Sequence, residues 1–225
     1  MDKNLSSRPR VRKSKSRPAL NRERVLFAAI TTADRDGIDG LSMRKLGEEL
    51  NVEAMSLYNY VANKEELLDA MSDYIVNTFE RPATNLDWKS ALRQCTLSAH
   101  KTLWAHPWLC ALSMSRPKIS TASLEYSESI TGVLRSAKFS NQLIHHALHA
   151  IDSHLYGSTL QELSLITGMQ AASPEINAIF LQQMVDKYPN ISHVIVDAVH
   201  NHEVEFEFVL DLILDGLEKV RDSSQ

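Results

Sequence analysis

The sequence predicts an all-α protein, in which a three-helix head is joined by a linking helix to a larger helical body. No segment of the 225 residues alternates apolar and polar positions with the period of two expected of strands, and apolar residues recur instead three and four positions apart. In addition, the segment 41–68, LSMRKLGEELNVEAMSLYNYVANKEELL, has the pattern of two short helices joined by a tight turn and followed by a third.

The composition is that of a globular protein in a reducing compartment. Hydrophobic residues make up 44% of the chain, which is enough for a core. No apolar run approaches the ~20 residues that span a bilayer, and the N-terminus lacks an apolar signal core. Cys95 and Cys110 lie in apolar helical contexts, which favours buried thiols over the alternative of a disulfide between them. We therefore expect a cytoplasmic protein without a membrane partner.

Charge is distributed unevenly along the chain. Residues 1–24 contain nine basic and two acidic residues, a balance of +7, so residues 25–225 carry −11 when the whole chain carries −4. Residues 1–19 have almost no apolar content and are expected to be disordered in isolation. This segment is interpreted either as a basic arm that meets the phosphates of DNA or as a solubilising tail.

The first helix is expected from Arg22 to about Asp36. Asn21 can cap it, and a stripe of small and apolar residues that includes Val25 and Ala29 lies on one face. The sequence DGIDG then ends the helix and allows a turn. This helix is expected to support the two that follow it.

The next helix begins after Ser42, whose hydroxyl can accept a hydrogen bond from a first-turn amide. Leu46 and Leu50 lie four positions apart and form its buried stripe. Asn51 tolerates the left-handed backbone conformation that ends a helix, and Val52 then packs between this helix and the next.

The second helix of the motif is expected over about 53–60, with Leu57 and Val61 buried. Its outer face comprises Ala54, Met55, Ser56, Asn59 and Tyr60. Two helices joined at a sharp turn form a helix-turn-helix, whose second helix fits the major groove of DNA. The head is therefore interpreted as a DNA-binding unit.

A linking helix follows the motif. Asn63 with Glu66 three residues later is a variant of the capping box, and the helix is expected to reach about Phe79 before Arg81-Pro82 ends it. The chain is accordingly divided into a basic arm (1–19), a head with its linking helix (20–81) and a helical body (82–225). In the body, helices are expected over about 88–105, 121–135, 140–166, 174–188, 191–200 and 203–220. A further short helix is expected to begin at 107, and a loop is expected over 168–173.

The sequence GLSMRKLGEELNVEAMSLYNYVANKEELLDAM resembles the head of the tetracycline-repressor (TetR) family of bacterial regulators, and the pairs Leu57-Tyr58 and Asn63-Lys64 are typical of it. The sequence PNISHVIVDAVHNHEVEFEFVLDLILDGLEKV resembles the C-terminal end of the tetracycline-repressor branch, whereas 82–188 matches only in helical rhythm. The resemblance implies a regulator, most often a repressor, that binds a palindromic DNA operator as a homodimer. It also implies release of the operator by a small molecule bound in the body.

The resemblance assigns DNA contacts to residues of the head. Arg44 matches a base-reading position, and a guanidinium can pair bidentately with guanine. Asn59 could pair with adenine, while small and apolar neighbours could meet thymine methyl groups. The expected set comprises Arg44, Ala54, Met55, Ser56 and Asn59 at bases, and Tyr58, Tyr60 and Lys64 at the DNA backbone. The alternatives are that Tyr58 is a core aromatic residue and that Lys64 is a solvated charge.

A homodimer is expected because one small head reads few bases. The last helix has a stripe at 3-4-3-4 spacing that could meet a partner, and in the family it forms an intermolecular four-helix bundle with the 140–166 helix. The expected dimerisation residues are Phe206, Val209, Leu210, Ile213 and Leu217, with Ile151 and Leu155 of the 140–166 helix. The alternative is that both stripes belong to the internal core.

The effector pocket is expected among the middle helices. Candidate lining residues are Trp104, Trp108, Met114, Tyr126 and His149, although each could instead be an ordinary core residue. Leu112 and Gln161 stand at about the positions of the family's magnesium-binding histidine and metal-linked glutamate, with Glu162 adjacent. Because neither side chain can replace its counterpart, the sequence predicts an effector other than a magnesium–tetracycline complex.

Histidines of the segment HHALHAIDSHLYG provide the competing interpretation. His145, His146, His149 and Asp152 are spaced so that several share a helix face, a pattern that can bind zinc or place an acid–base pair. The alternative function is therefore a helical metal-binding protein or enzyme. However, the sequence contains no HExxH motif, nucleophile elbow or Gly-rich phosphate loop. We expect no catalytic residues, no metal and no cofactor, and interpret the histidines as polar groups of the pocket or dimer interface.

Overall fold

The computed structural model describes residues 19–116, 120–171 and 201–223, together with scattered positions between 173 and 192. The described residues form nine helices and no strand, which confirms the predicted all-α class. The helices are α1 (Arg22–Asp36), α2 (Met43–Leu50), α3 (Ala54–Leu57), α4 (Lys64–Val76), α5 (Trp88–Ala105), α6 (Trp108–Ser115), α7 (Thr121–Ser136), α8 (Asn141–Ala171) and α9 (His202–Ser223).

Side-chain caps fix where the helices of the head begin. The amide oxygen of Asn21 accepts a hydrogen bond from the backbone of Arg24 at 2.8 Å, and the Ser42 hydroxyl accepts one from Lys45 at 3.2 Å. At α4, Asn63 accepts from the backbone of Glu66 at 2.8 Å. The Glu66 carboxylate in turn accepts from the amide of Ala62, one residue before the cap, at 2.6 Å. The capping signals in the sequence therefore operate as predicted.

The turn between α2 and α3 depends on two residues. Asn51 adopts the left-handed conformation, with φ 55°, and ends α2. Gly47 lies where the chain folds back on α2, since a Cβ atom there would stand 2.8 Å from the carbonyl oxygen of Val52. That atom belongs to the backbone and cannot move aside, so glycine permits the close approach of α2 to the turn.

The head has a continuous apolar core. Its fully buried side chains include Val25, Leu46, Leu57, Leu67 and Met71, which are contributed by α1, α2, α3 and α4. Ion pairs surround this core, among them Arg22 with Glu66 at 3.2 Å. Since α1 packs against both α2 and α4, it holds the helix-turn-helix on the linking helix.

The body is built from α5 to α9. Helix α8 packs against α5, α6, α7 and α9, so it lies at the centre of the body. Its Ile144, Ala147 and Ile151 face this core together with Leu210 of α9. Both cysteines are buried free thiols, and burial raises the pKa of the Cys110 thiol to about 12.

Three predicted boundaries differ from the structure. Helix α3 ends at Leu57 rather than near Tyr60, because the following amides bond to carbonyls three residues back in tighter turns. Helix α4 ends at Val76, although Phe79 beyond it is still buried. Helix α8 continues into the predicted loop as far as Ala171, since one glycine at 168 costs only about 1 kcal/mol in a helix. Most of the expected arm and of the expected 174–188 and 191–200 helices lies outside the described residues.

Two sets of polar contacts join the head to the body. Asp34 of α1 accepts hydrogen bonds from the indole of Trp108 at 2.6 Å and pairs with the His106 ring at 2.8 Å. At the end of α6, the Arg116 guanidinium pairs with Glu65 and Asp69 of α4 at 2.7 and 3.2 Å. No helix among the described residues is both long and apolar enough to cross a membrane.

Candidate nucleic-acid interface and ligand pocket

The expected DNA-contacting residues surround α3 at the surface of the head. The buried Leu57 side chain anchors this short helix, while Met55 is 73% exposed and Tyr58 is 41% exposed. Arg44 and Asn59 are also exposed, and Ala54, Ser56, Tyr60 and Lys64 are half-buried. The exposure of Tyr58 excludes its alternative as a buried core aromatic residue. These side chains can therefore reach a nucleic acid without unfolding the head.

Arg44 has an intramolecular partner. Its guanidinium donates a hydrogen bond to the Glu48 carboxylate, one helical turn away on α2, at 2.7 Å. Both side chains are strongly exposed, so the pair is screened by water and contributes little to stability. A base that recruits Arg44 must compete with this carboxylate.

A pocket of about 600 Å³ lies between α4, α6, α7 and α8. Its size is within the range of pockets for small ligands. Apolar groups of Val76, Leu109, Leu112 and Met114 line it together with polar groups of Asp69, Ser72, Asp73, Ser113, Arg116, Ser120, Thr121, Ser123, His149, Asp152, Ser153 and Tyr156. Because α4 is the linking helix, a ligand in this pocket would touch the element that carries the head.

Three polar groups of the pocket are in strained electrostatic environments. Asp152 opens onto the pocket, yet the surrounding protein desolvates it and raises the pKa of its carboxyl to about 6, against a smaller lowering by His149. The Oδ1 atom of Asp73 and the Nη1 atom of Arg116 are buried and have no hydrogen-bond partner among the described residues. Buried polar atoms without partners are rare and unfavourable, so within the described part of the chain Asp73 and Arg116 each have one polar atom free to bond to a polar group entering the pocket.

The structure places only two of the expected ligand-binding residues, Met114 and His149, in this pocket. Trp108 and Tyr126 line neither of the two pockets described here and are buried structural residues. The indole of Trp108 is bonded to Asp34, and the Tyr126 hydroxyl donates to the Cys95 carbonyl oxygen at 3.4 Å. Their assignment to an effector pocket stays a prediction that these two pockets do not support.

Trp104 lines a smaller pocket of about 300 Å³, between α5 and the start of α9. Its indole donates to Nε2 of His100 at 2.9 Å, and its ring lies 4.4 Å from that of His202. Burial, followed by the charges of His202 and His154, lowers the pKa of His100 to about 4. His100 is thus a neutral acceptor near pH 7, held in a satisfied aromatic cluster.

The histidines of α8 do not converge on one site. His145 and His146 are exposed, with ring centroids 5.8 Å apart, whereas His149 faces the larger pocket. In the part of the chain that the structure describes, no group of three His, Cys, Asp or Glu side chains is arranged to hold a metal ion. The alternative of a metal-binding protein or enzyme built on these histidines has no support.

The expected dimerisation residues divide into buried and accessible sets. Phe206 lies between the rings of His100 and His154, with centroids 3.6 and 4.3 Å away. Buried within the chain are Ile151, Leu155, Phe206, Leu210 and Leu217, so their assignment to a surface is corrected to the internal core. Val209 is exposed and Ile213 is half-buried.

The local sequence pattern does not single out two polar residues of the larger pocket. Asp73 lies in an otherwise ordinary linking helix, and Arg116 directly precedes a proline after α6. Gly47, which permits the turn of the motif, carried a signal, since a glycine inside a short amphipathic helix is costly unless backbone must approach it.

A helix-turn-helix with an exposed second helix, attached to a helical body with a pocket beside the linking helix, defines a DNA-binding regulator. The family model "Bacterial regulatory proteins, tetR family" matches residues 25–71, and the model "Tetracyclin repressor-like, C-terminal domain" matches residues 81–221. The chain therefore belongs to the TetR family of transcriptional regulators.

Individual relatives agree with this assignment. The chain is 31% identical over 215 residues to the HTH-type transcriptional repressor DrrR1 of Streptomyces coeruleorubidus, covering 90% of this chain and 78% of the relative. TetR from Acinetobacter baumannii AYE superimposes with a TM-score of 0.68 at 25% identity, covering 90% of this chain and 99% of that one. Streptomyces coelicolor ActR in complex with actinorhodin superimposes with a TM-score of 0.71 at 23% identity, covering 90% and 99%, and shows the shared fold.

Proposed function

We propose that this chain is a cytoplasmic transcriptional repressor that binds a palindromic operator as a homodimer and releases it when a small molecule occupies the pocket in the body. The observation that carries this proposal is the pocket of about 600 Å³ beside α4, the helix that holds the DNA-binding head. DrrR1, to which the chain is 31% identical, is a repressor, and ActR binds a small molecule within the same fold.

DNA recognition is assigned to the side chains around α3. Met55, Ser56 and Asn59 would meet base edges in the major groove, with Arg44 reaching the same groove from α2. Tyr58, Tyr60 and Lys64 would hold the DNA backbone, where Lys64 also lies at the N-terminus of α4. The division into arm (1–19), head (20–81) and body (82–225) is part of this proposal.

The homodimer is assigned to the outer side of α9. Its inner side is occupied by the core residues Phe206, Leu210, Leu214 and Leu217. Val204, Phe208 and Leu212 are exposed on the opposite side, and Val209 and Val220 are exposed on its flank. A row of such residues on one helix is a typical protein–protein contact surface. Two copies of this surface, related by a two-fold axis, would bring two heads to the two halves of a palindrome.

Release is assigned to the contacts between α6 and α4. Arg116 lines the pocket and also pairs with Glu65 and Asp69 of α4. A ligand that repositions Arg116 would therefore change its ion pairs with the linking helix α4. A change in the angle of α4 in both subunits would alter the separation of the heads and lower operator affinity.

Gel-shift and footprinting experiments on the palindrome near the gene of this chain test the proposal. Wild type should protect two half-sites, and affinity should fall steeply as salt is raised, because phosphate contacts release counterions. Asn59→Ala should weaken operator binding. The control Glu125→Gln, which changes an exposed side chain of α7, should not. Failure to bind any duplex, or binding insensitive to salt, would overturn the proposed function.

A further inference from the structure

The pocket between α4, α6, α7 and α8 carries an excess of negative charge. Its ionisable lining groups are three carboxylates, Asp69, Asp73 and Asp152, against the single guanidinium of Arg116, a formal excess of two negative charges with His149 neutral. Arg116 is already paired with Asp69 and with Glu65 outside the pocket. The ion pairs of the described residues thus leave Asp73 and Asp152 uncompensated.

Among the described residues, Asp73 has a buried oxygen without a donor, and Asp152 has a carboxyl whose charged form is disfavoured by its surroundings. The Oδ1 atom of Asp73 is buried without a hydrogen-bond partner in the part of the chain that the structure describes. The surrounding protein desolvates the carboxyl of Asp152 and raises its pKa, against a smaller lowering by His149. Asp73 lies on α4 and Asp152 on α8, so charge faces the pocket from two of its walls. A positively charged donor would relieve both defects.

The apolar residues that line the pocket indicate the chemistry of the rest of the ligand. Leu109 and Leu112 of α6, Val76 of α4 and Met114 provide apolar surface in the same pocket. A volume of about 600 Å³ accommodates a drug-sized molecule rather than a bare inorganic ion. The chemistry required is therefore that of an amphipathic molecule.

We propose that the effector is an amphipathic cation, a protonated amine on a largely apolar body, with the amine paired to Asp152 and Asp73 and the apolar body against Leu109 and Leu112. This inference rests on the proposed function, in which the pocket receives the effector. It also links recognition to response, because the amine would contact α4 through Asp73. Neutral and anionic ligands are the alternatives that the experiment distinguishes.

The test uses the full chain and three anthracene derivatives substituted at the same ring carbon, with aminomethyl, hydroxymethyl and carboxylate groups. Their fluorescence reports binding, and near neutral pH they are cationic, neutral and anionic. The amine should bind about tenfold more tightly than the alcohol, as one charge-assisted hydrogen bond can provide, and the carboxylate should bind most weakly. A subset of the same samples is assayed for operator binding by gel shift.

Variants identify the responsible carboxylates. Asp152→Asn and Asp73→Asn should each weaken amine binding about tenfold and change alcohol binding by less than about twofold. Glu125→Gln removes an exposed carboxylate of α7 that does not line the pocket, and it should change neither affinity. If Asp73→Asn fails to fold, Asp152→Asn alone carries the test.

Three results would overturn the proposed ligand class. These are equal or tighter binding of the alcohol or carboxylate, no binding of the amine up to about 1 mM, and amine binding that neither asparagine variant weakens. If the wild type still binds operator in these cases, only the ligand class fails. Loss of operator binding by the untreated wild type would instead contradict the proposed function itself.

Discussion

The indole Nε1 of Trp108, at the start of α6, donates a 2.6 Å hydrogen bond to the Asp34 carboxylate near the end of α1. This bond joins the head to the body, 74 residues apart in the chain. His106 pairs with the same carboxylate oxygen at 2.8 Å. The contact limits the angle at which the head leaves the body, so it should affect how well two heads fit one operator.

Replacing Trp108 with Phe tests this role. The variant keeps an aromatic ring in a buried position but removes the donor, which should cost about 1 kcal/mol of stability. Because the heads gain freedom, operator affinity should fall by about three- to tenfold. Gel-shift titration and thermal denaturation measure the two effects. Trp104→Phe is the matched control, since it removes a bond to His100 within the body, and it should lower stability without weakening operator binding.

The pair formed by Arg44 and Glu48 leads to a second prediction. Glu48→Gln removes the carboxylate that pairs with the guanidinium and also removes one negative charge from the exposed side of α2 that is proposed to face DNA. Operator affinity should rise by about two- to fivefold, as expected for an exposed ion pair. Fluorescence anisotropy with labelled operator measures this change. In an Arg44→Ala background the same substitution should give a smaller gain, and an equal gain there would show that Arg44 is not involved.

The boundaries of helices were largely predictable because local chemistry fixes them. Asn21, Ser42 and Asn63 cap their helices through bonds between neighbouring residues, and the same holds for Asp87 and Ser120. The helix-turn-helix was predictable for the same reason, since Asn51 and the apolar spacing around it act over a few residues.

The pocket and the proposed dimer surface depend on packing between distant parts of the chain, which the spacing of apolar residues does not reveal. Phe206 and Phe208 lie two positions apart in one apolar segment, yet Phe206 is 1% exposed and Phe208 is 63% exposed. The pattern shows that α9 is apolar on both sides, but only the positions of α5 and α8 decide which side is internal. From the sequence, Trp108 is a candidate ligand-binding residue. The fold instead places Asp34, 74 residues away in the chain, within hydrogen-bond distance of its indole nitrogen.

Asp152 provides a prediction on stability and pH. Its carboxyl has a pKa of about 6 in the folded chain, compared with an ordinary value of 3.8, so the folded state binds more protons between these limits. Ionisation in the pocket therefore destabilises the fold, and this cost grows as pH rises from about 4 to 6 and is complete above that range. Asp152→Asn should accordingly raise Tm by about 2 °C at about pH 8. Near pH 4 it should leave Tm unchanged.

Differential scanning calorimetry of both proteins across this pH range measures the difference. The other ionisable groups around the carboxyl are the same in both proteins and should largely cancel: Asp69, Asp73, Arg116, Tyr126, His149 and Tyr156. A variant that is less stable than wild type at about pH 8 would show that Asp152 makes a favourable contact instead.

Phe208 provides the sharpest test of the dimer. Its side chain lies on the exposed side of α9, so Phe208→Glu should leave the fold of the protomer intact while placing two like charges at the proposed two-fold contact. Multi-angle light scattering should then report a monomer, and operator affinity should fall by more than about a hundredfold, because one head binds alone. Phe206→Leu is the matched control within the same helix, since this ring packs between His100 and His154 inside the protomer. It should lower Tm but leave the dimer intact. A dimeric Phe208→Glu protein that still binds operator would require the contact between subunits to lie away from this side of α9.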